Sequence, residues 1–300
     1  MFTIQNSQKN LTIIIVTFNS SLVIESCLSK LNTKKYDVVV VDNASTDNTI
    51  QIVENSFPEV IIIKLDQNIG YGRANNIALK KAETDFALIL NPDAFINEND
   101  IEKILFQIQK ETKIALAAPL LLNHYPALQS DIENQLKVVE SNLLEKFDEF
   151  FSVKYIIGAV LFLKMNIFRK IGFFDENIFL YYEDDEISWR AVKSGYIAAI
   201  IPDVYGFHIG QGSSGGKLRN VYKRFWHRSL SKLYWKQKQK GRFAAIKSSI
   251  RLIIVFLLKS LFYSFTFNSR KTVANFASCC GSFSFLIGLR AFDKNGKARG

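Results

Sequence analysis

Residues 38–47 read Val38-Val39-Val40-Val41-Asp42-Asn43-Ala44-Ser45-Thr46-Asp47. Four β-branched residues in a row suit a strand buried on both faces. The strand ends on a carboxylate, and the Asn-Ala-Ser-Thr-Asp run supplies turn and N-cap residues for a helix through about Asn55. The pattern repeats to either side. Upstream, Leu11–Thr17 (LTIIIVT) is a strand running into Phe18-Asn19, with a helical pattern to about Leu31. Downstream, Val60–Lys64 is a strand before Asp66-Gln67-Asn68, and Tyr71–Ala82 a helix. Phe86–Leu90 is then a strand before Asn91-Pro92-Asp93, Glu98–Thr112 a helix and Ile114–Ala118 a fifth strand. Such alternation predicts right-handed crossovers and a parallel sheet with helices on both faces. Ligands of such sheets bind beyond the carboxyl ends of the strands. Four successive strand ends deliver polar or acidic side chains to one edge.

Further along, residues 120–153 show no clear periodicity and read as a variable insertion. Ile156–Leu163 looks like a strand beginning at Gly158, residues 183–194 like a helix with acids in its first turn, where the macrodipole favours them. Ile197–Ile201 and Val204–His208 read as two more strands, and Gly210–Gly216 as a flexible loop closing the body. Charge divides the chain at the same place. Residues 1–216 hold 19 Lys and Arg against 27 Asp and Glu, a net −8, whereas residues 217–300 hold 19 against Asp293 alone, a net +18. An acidic body over 1–216 and a basic, mainly helical extension over 217–300 are expected, the extension seeking an anionic surface. The N-terminus lacks the basic start and apolar core of a secretory signal. Cys27, Cys279 and Cys280 fit no metal or redox spacing, and read as reduced thiols of a cytoplasmic protein.

Several residues carry candidate chemistry. Asp42 can accept hydrogen bonds from a nucleotide's base or ribose, or can serve a capping turn; for Asp47 the capping turn is the better reading. Asn68-Ile69-Gly70-Tyr71-Gly72-Arg73 places glycines and an arginine at a helix start, where a diphosphate or a plain capped turn would fit. Asp93, after Asn91-Pro92, is placed for a hard divalent cation or for an Asn-Pro turn. His208 at a strand end could share that cation, or be a structural histidine. Glu183-Asp184-Asp185-Glu186 follows Phe179-Leu180-Tyr181-Tyr182. Mutual repulsion and an apolar lead-in raise a carboxyl pKa, as a general base requires; a solvated helix start is the alternative, and Trp189-Arg190 on the same helix weakens it.

Taken together and in order, IIIVTFN, VVVVDNASTDNT, NIGYGRANN, LILNPD, GAVLFLKMNIFRKIGFFDENIFLYYEDDEISWR and FHIGQGSS resemble the family 2 glycosyltransferases, particularly their bacterial rhamnosyltransferase-like branch, over residues 11–214. The resemblance implies the GT-A fold, a Rossmann-like, mostly parallel α/β sheet. It implies that Thr17, Asn19 and Asp42 line the nucleobase and ribose pocket, with Asn68, Gly70 and Arg73 beside them. Asn91-Pro92-Asp93 stands where the family carries Asp-x-Asp, so Asp93, helped by His208, would hold Mg²⁺ or Mn²⁺; Asn91 departs from that pattern. Asp184 would be the base, Glu183, Asp185 and Glu186 would orient it or the acceptor, and Gly158-Ala159 would pass under the donor sugar. The implied reaction is inverting transfer of a sugar, rhamnose on dTDP being favoured over UDP-linked alternatives, to a lipid-linked saccharide. A nucleotide-sugar-binding protein without activity and a nucleotidyltransferase are the competing readings. A nucleotidyltransferase would carry a basic, glycine-rich loop after the first strand, where this chain has Phe18-Asn19-Ser20-Ser21.

The basic extension mixes Lys and Arg with Tyr222, Phe225, Trp226, Tyr234 and Trp235. No nucleic-acid fold motif accompanies them, so no nucleic-acid partner is expected. Ile250–Phe267 is apolar but interrupted by Lys259, and Thr272–Leu289 is uncharged yet carries Asn275, Ser278, Gly281, Ser282 and Ser284, a poor span. At about 100° per residue, Lys247, Arg251, Lys259 and Arg270 fall within an arc of about 140°. A basic stripe opposite Leu, Ile and Phe predicts a helix lying on the inner face of the cell membrane.

Overall fold

The computed structural model describes residues 9–123, 129–208, 210, 217–293 and 296–299. The chain divides into two compact units. The first comprises the chain up to Gln67, Ala74–Phe174 and Asp184–Ser213; the second comprises Asn68–Arg73, Asp175–Glu183 and the chain from Ser214 onward. Residues 211–216 of the expected closing loop, Ile209 of the FHIGQGSS motif and the residues that bear on a secretory signal lie outside the described residues.

The expected alternation opens the chain: β1 (Leu11–Thr17), α1 (Ile24–Leu28), β2 (Asp37–Asp42), α2 (Thr49–Ser56), β3 (Ile61–Lys64), α3 (Tyr71–Leu79) and β4 (Phe86–Leu90). After it come β5 (Ala94–Ile96), α4 (Glu98–Lys110), β6 (Ile114–Leu122), α5 (Gln129–Asn142), β7 (Leu143–Lys146), β8 (Phe151–Val153) and β9 (Val160–Lys164). The chain ends with α6 (Met165–Ile171), α7 (Glu183–Lys193), β10 (Ile197–His208), α8 (Leu218–Phe265) and α9 (Ser269–Leu286). Among the described residues one mixed sheet runs β3-β2-β1-β4-β9-β6-β10-β8-β7, with β5 paired to β10. β1, β2, β3, β4, β6 and β10 all run the same way, and β9 is inserted antiparallel between β4 and β6. This is the mostly parallel α/β sheet expected. Leu11, Ile13, Ile15, Val40, Leu88 and Leu90 anchor its core, each fully buried and each worth about 1.5–3 kcal/mol in transfer free energy.

The structure departs from the sequence reading in several places. The insertion at 120–153 is ordered into α5, β7 and β8 over its described residues. The strand expected from Gly158 starts at Val160, because the preceding amides bond elsewhere: Ile156 N–H donates to Ser188 Oγ and Gly158 N–H to Asp184 Oδ2. The two strands expected over 197–208 are one, β10, whose register against β6 shifts between Ile201 and Tyr205; Pro202, lacking an N–H, sits in that interval. The helical pattern after β1 shrinks to the short α1, since the loop before it is tied to the β2 turn: Ser20 N–H donates to Thr49 Oγ1 and Ser21 N–H to Asp47 Oδ2.

The second unit is built on α8 and α9. Gly241 breaks α8 at φ 83°, ψ 166°, a conformation suited to glycine. α9 approaches α8 through Gly281, where an added Cβ would meet the Trp226 carbonyl oxygen at 2.3 Å. Ser229 and Ser282 hydroxyls lie 2.7 Å apart, and Ser249 Oγ donates to the Ser282 carbonyl. No helix among the described residues is long and apolar enough to cross a membrane.

Candidate active site

The site follows from register. β1 lies between β2 and β4, with Thr17 opposite Asp42 and Ile14 opposite Ile89. Thr17, Asp42 and Asn91 therefore reach the carboxyl edge on three adjacent strands. Asn91 N–H donates to the Ala159 carbonyl (2.9 Å), which brings in the segment leading to β9. Gly158 N–H in turn donates to Asp184 Oδ2 (3.1 Å) at the start of α7. At ordinary strand spacing, β2 to β9 spans roughly 14 Å.

At the β2 end, Asp42 is buried. Its Oδ1 accepts from Thr17 Oγ1 (2.9 Å) and Ser45 Oγ (2.5 Å), and its Oδ2 from Ser45 N–H (2.9 Å). Asn19, at φ 54°, donates its N–H to Ser45 Oγ and accepts from Thr46 N–H (2.8 Å). Thr17, Asn19 and Asp42 thus lock the first two strand-end loops together, with Ser45, a residue not singled out in the sequence, as the keystone. Asp47 accepts from Thr49 N–H and Oγ1, the helix-start turn expected of it.

At the β4 end, Asp93 Oδ1 lies 3.2 Å from His208 Nε2. β5 makes this contact: it pairs antiparallel with β10, Ala94 opposite His208, so that residue 93 falls beside the imidazole. Among the described residues no group of three His, Cys, Asp or Glu forms a protein metal cage. A carboxylate and an imidazole this close are nevertheless a sound donor pair for Mg²⁺ or Mn²⁺, which commonly take one or two protein carboxylates and leave positions for water and phosphate. Cys27, buried behind this edge with its thiol 3.8 Å from the Asn91 carbonyl, is pushed up to about 12 by desolvation and then by the charge of Asp93. It is an inert core thiol.

α7 carries the acids. Asp184 keeps partial solvent access, accepts from Gly158 and Asp185 N–H groups, and burial pushes its carboxyl up. Gly158 passes close beneath it: a Cβ there would lie 3.2 Å from Asp184 Cβ, a tight contact. Asp185 is pushed up to about 7 by desolvation and by the Asp184 charge. Glu186, expected from the resemblance to orient the base or the acceptor, is taken up by a partner on its own helix. Fully buried, it pairs through both carboxylate oxygens with Arg190, one helical turn on. Arg190 also donates to the Ile171, Gly172 and Phe173 carbonyls. The i,i+4 spacing of Glu186 and Arg190 was the signal available in the sequence.

Because Asp185 titrates higher in the folded chain than its ordinary 3.8, its charge opposes folding once formed. That cost is absent below about pH 4, grows as pH rises to 7 and is constant above. Asp185→Asn is therefore expected to melt at the wild-type temperature near pH 4 and above it at pH 8. Equal melting temperatures at both values would show that Asp185 is not held in a charge-opposing environment.

The second unit holds the remaining motif residues. Asn68 Oδ1 accepts from Gly70 N–H (3.0 Å), and Tyr71 N–H donates to the Phe179 carbonyl. Gly70 has φ 89°, and a Cβ there would lie 2.6 Å from that carbonyl oxygen. Arg73 donates from Nε to the Glu176 carbonyl (2.7 Å), and its guanidinium lies 3.4 Å from the Phe292 ring centroid. Glu183, the first residue of α7, belongs to this unit and is buried.

Residues 12–172, more than half the chain, match the sequence pattern described as Glycosyl transferase family 2. The chain belongs to glycosyl transferase family 2. Its relatives include Agl10 of Haloferax volcanii, a low-salt glycan biosynthesis hexosyltransferase, 28% identical over 62% of this chain and 63% of that one. The N-acetylglucosaminyl-diphospho-decaprenol L-rhamnosyltransferase of Mycobacterium tuberculosis is 21% identical over 68% of this chain and 78% of its own length. The dTDP-rhamnosyl transferase RfbF of Shigella flexneri is 25% identical over 66% and 69%. This chain thus spans less than two thirds of the Haloferax protein. The mannosyltransferase PcManGT from Pyrobaculum calidifontis, solved with GDP-Man and Mn²⁺, superposes with a TM-score of 0.57 at 17% identity, covering 93% of this chain and 88% of that one. The fold of this family 2 glycosyltransferase is accordingly of the GT-A kind.

Proposed function

We propose that this glycosyltransferase moves a deoxyhexose, rhamnose on dTDP before UDP-linked alternatives, with inversion onto a hydroxyl of a lipid-linked saccharide at an anionic membrane surface. The observation that carries the reading is the continuous run Asp184–Gly158–Ala159–Asn91, leading through Pro92 to Asp93 and His208. It sets a partly exposed carboxylate on the same edge as a cation-type donor pair. Two relatives named for rhamnosyl transfer, one toward a diphospho-decaprenol acceptor, support the choice of sugar and acceptor.

In this reading Thr17, Asn19 and Asp42 form the wall for base and ribose, Asp42 Oδ2 retaining lone-pair capacity beside the single hydrogen bond from Ser45. The donor-binding role of Asn68, Gly70 and Arg73, and the supporting role of Glu183, rest on the motifs alone. Asp93 and His208, with Asn91 adjacent, would hold Mg²⁺ or Mn²⁺, a charge that offsets the negative charge of a departing nucleoside diphosphate. Asp184 takes the proton of the acceptor hydroxyl as its oxygen attacks the anomeric carbon from the face opposite the leaving group. A single displacement inverts that carbon, and no covalent enzyme intermediate is needed.

The test is a panel of nucleotide sugars incubated with the chain, an acceptor mimic and Mg²⁺ or Mn²⁺. Nucleoside diphosphate release is expected from a dTDP-deoxyhexose, with an inverted glycoside in the product by NMR. Retained anomeric configuration, or undiminished release after chelation, would refute the corresponding part of the proposal.

A further inference from the structure

Before Gly241, α8 buries Trp226 and Leu230 with Ala277 of α9. Beyond that break the α8–α9 hairpin is packed inside out: the buried residues of α8 are Ala245, Ser249 and Ser260, and Ser249 Oγ donates to the carbonyl of the buried Ser282 of α9. The large apolar residues are on the outside: Ile254 is 55% exposed, Leu258 61%, Leu261 51%, Phe262 61% and Phe265 82%, and Phe267 in the connecting turn 95%. On a helical projection Ile254, Leu258, Leu261, Phe262 and Phe265 fall within an arc of about 100°. This corrects the expectation of a basic stripe facing away from the apolar side. Lys247 and Arg251 are exposed within or beside the apolar arc, and the buried side is the small-residue one.

In water a helix pair gains stability by turning Leu, Ile and Phe toward its partner. In lipid that gain vanishes, and helices instead associate through Gly, Ala and Ser. A contiguous apolar surface of this kind on a soluble chain marks an interaction surface. We propose that the hairpin lies in the plane of an anionic bilayer, with Leu258, Leu261, Phe262 and Phe265 at the headgroup–acyl boundary.

Charge selects a bilayer over a protein partner. The segment 217–300 carries 19 Lys and Arg against one acid, and Lys259, Arg270 and Lys271 are exposed close to the hairpin turn. Two adjacent cations at the start of α9 make deep end-on insertion costly, whereas in-plane docking lets their long side chains reach lipid phosphates. The hairpin deepens the membrane attachment proposed above, and its test is independent of sugar transfer.

The 300-residue chain is floated with vesicles of phosphatidylcholine alone, or mixed with phosphatidylglycerol, at low and high salt. Flotation is expected with the anionic vesicles, weakening as salt rises. Leu258→Glu and Phe262→Glu are each expected to lower the bound fraction by about ten- to a hundredfold. Both positions are exposed, so wild-type melting curves should be retained. The proposal is overturned if the wild type stays with the unbound fraction, if the glutamate variants float equally well, or if light scattering shows a dimer that these variants disperse without any vesicle binding. Nucleoside diphosphate release into solution separates either outcome from the fate of the transferase reading.

Discussion

Asp184→Asn is expected to lower sugar transfer by about 10²–10⁴ while leaving the fold and nucleotide binding in place. The magnitude is that of a lost general base. The substitution is nearly isosteric, and the amide oxygen keeps one of the two N–H groups, Gly158 and Asp185, that donate to separate carboxylate oxygens of Asp184, while its NH2 loses the other. It also removes a charge that burial opposes, which offsets that lost hydrogen bond, so stability should change little. Single-turnover transfer assays beside a thermal melt read both halves. The raised carboxyl further predicts that wild-type transfer climbs as pH rises through the titration of Asp184, because the base works only when deprotonated. Near-normal turnover in a folded Asp184→Asn protein would remove the base assignment. Loss of turnover together with loss of nucleotide binding would instead point to a scaffold role.

Arg190→Ala should cost about 3–5 kcal/mol of stability, a fall in melting temperature on the order of 10 °C. The mechanism is a stranded charge. Glu186 has no solvent-exposed surface in the fold, and Arg190 holds both of its carboxylate oxygens while donating to three carbonyls of residues 171–173. Removing the guanidinium leaves an unpaired buried carboxylate and unties the later part of α7 from the turn after α6, so transfer activity should fall with stability. The double substitution Glu186→Leu with Arg190→Met distinguishes a charge effect from a packing effect. If the pair acts through charge, the double variant recovers much of the lost stability, since buried pairs are often replaceable by apolar residues of similar volume. A single Arg190→Ala variant melting within about 2 °C of wild type would show the pair to be dispensable.

The alternation of apolar runs with helical patterns, and the polar residues closing the runs, were legible because strand and helix periods are local properties. Thr17, Asp42, Asn91 and Asp93 could be placed on one edge once the strands were read as parallel. Other features depended on partners far away in the chain. β5 is three residues long, too short to show a period, yet its pairing with β10 sets Asp93 beside His208. Gly158 looked like the first residue of a strand; its amide is spent on Asp184 instead, a competition between ladder and side chain that periodicity cannot register.

By itself the sequence determined the alternation of elements from β1 to β4, the polar strand ends that share one edge, the acidic cluster and the division of charge at residue 216, all of which follow from residue type and spacing along the chain. The tertiary structure alone decided which acids stay partly open to solvent and which serve the core. Glu186 and Asp184 sit two residues apart on one helix, and a rotation of about 200° sends the first into the protein against Arg190 and leaves the second partly open beside Gly158. It also decided that, beyond Gly241, the small residues of α8 are the buried ones while Leu258, Leu261, Phe262 and Phe265 face outward. A helical pattern gives two faces to a helix, but only packing says which of them is inside.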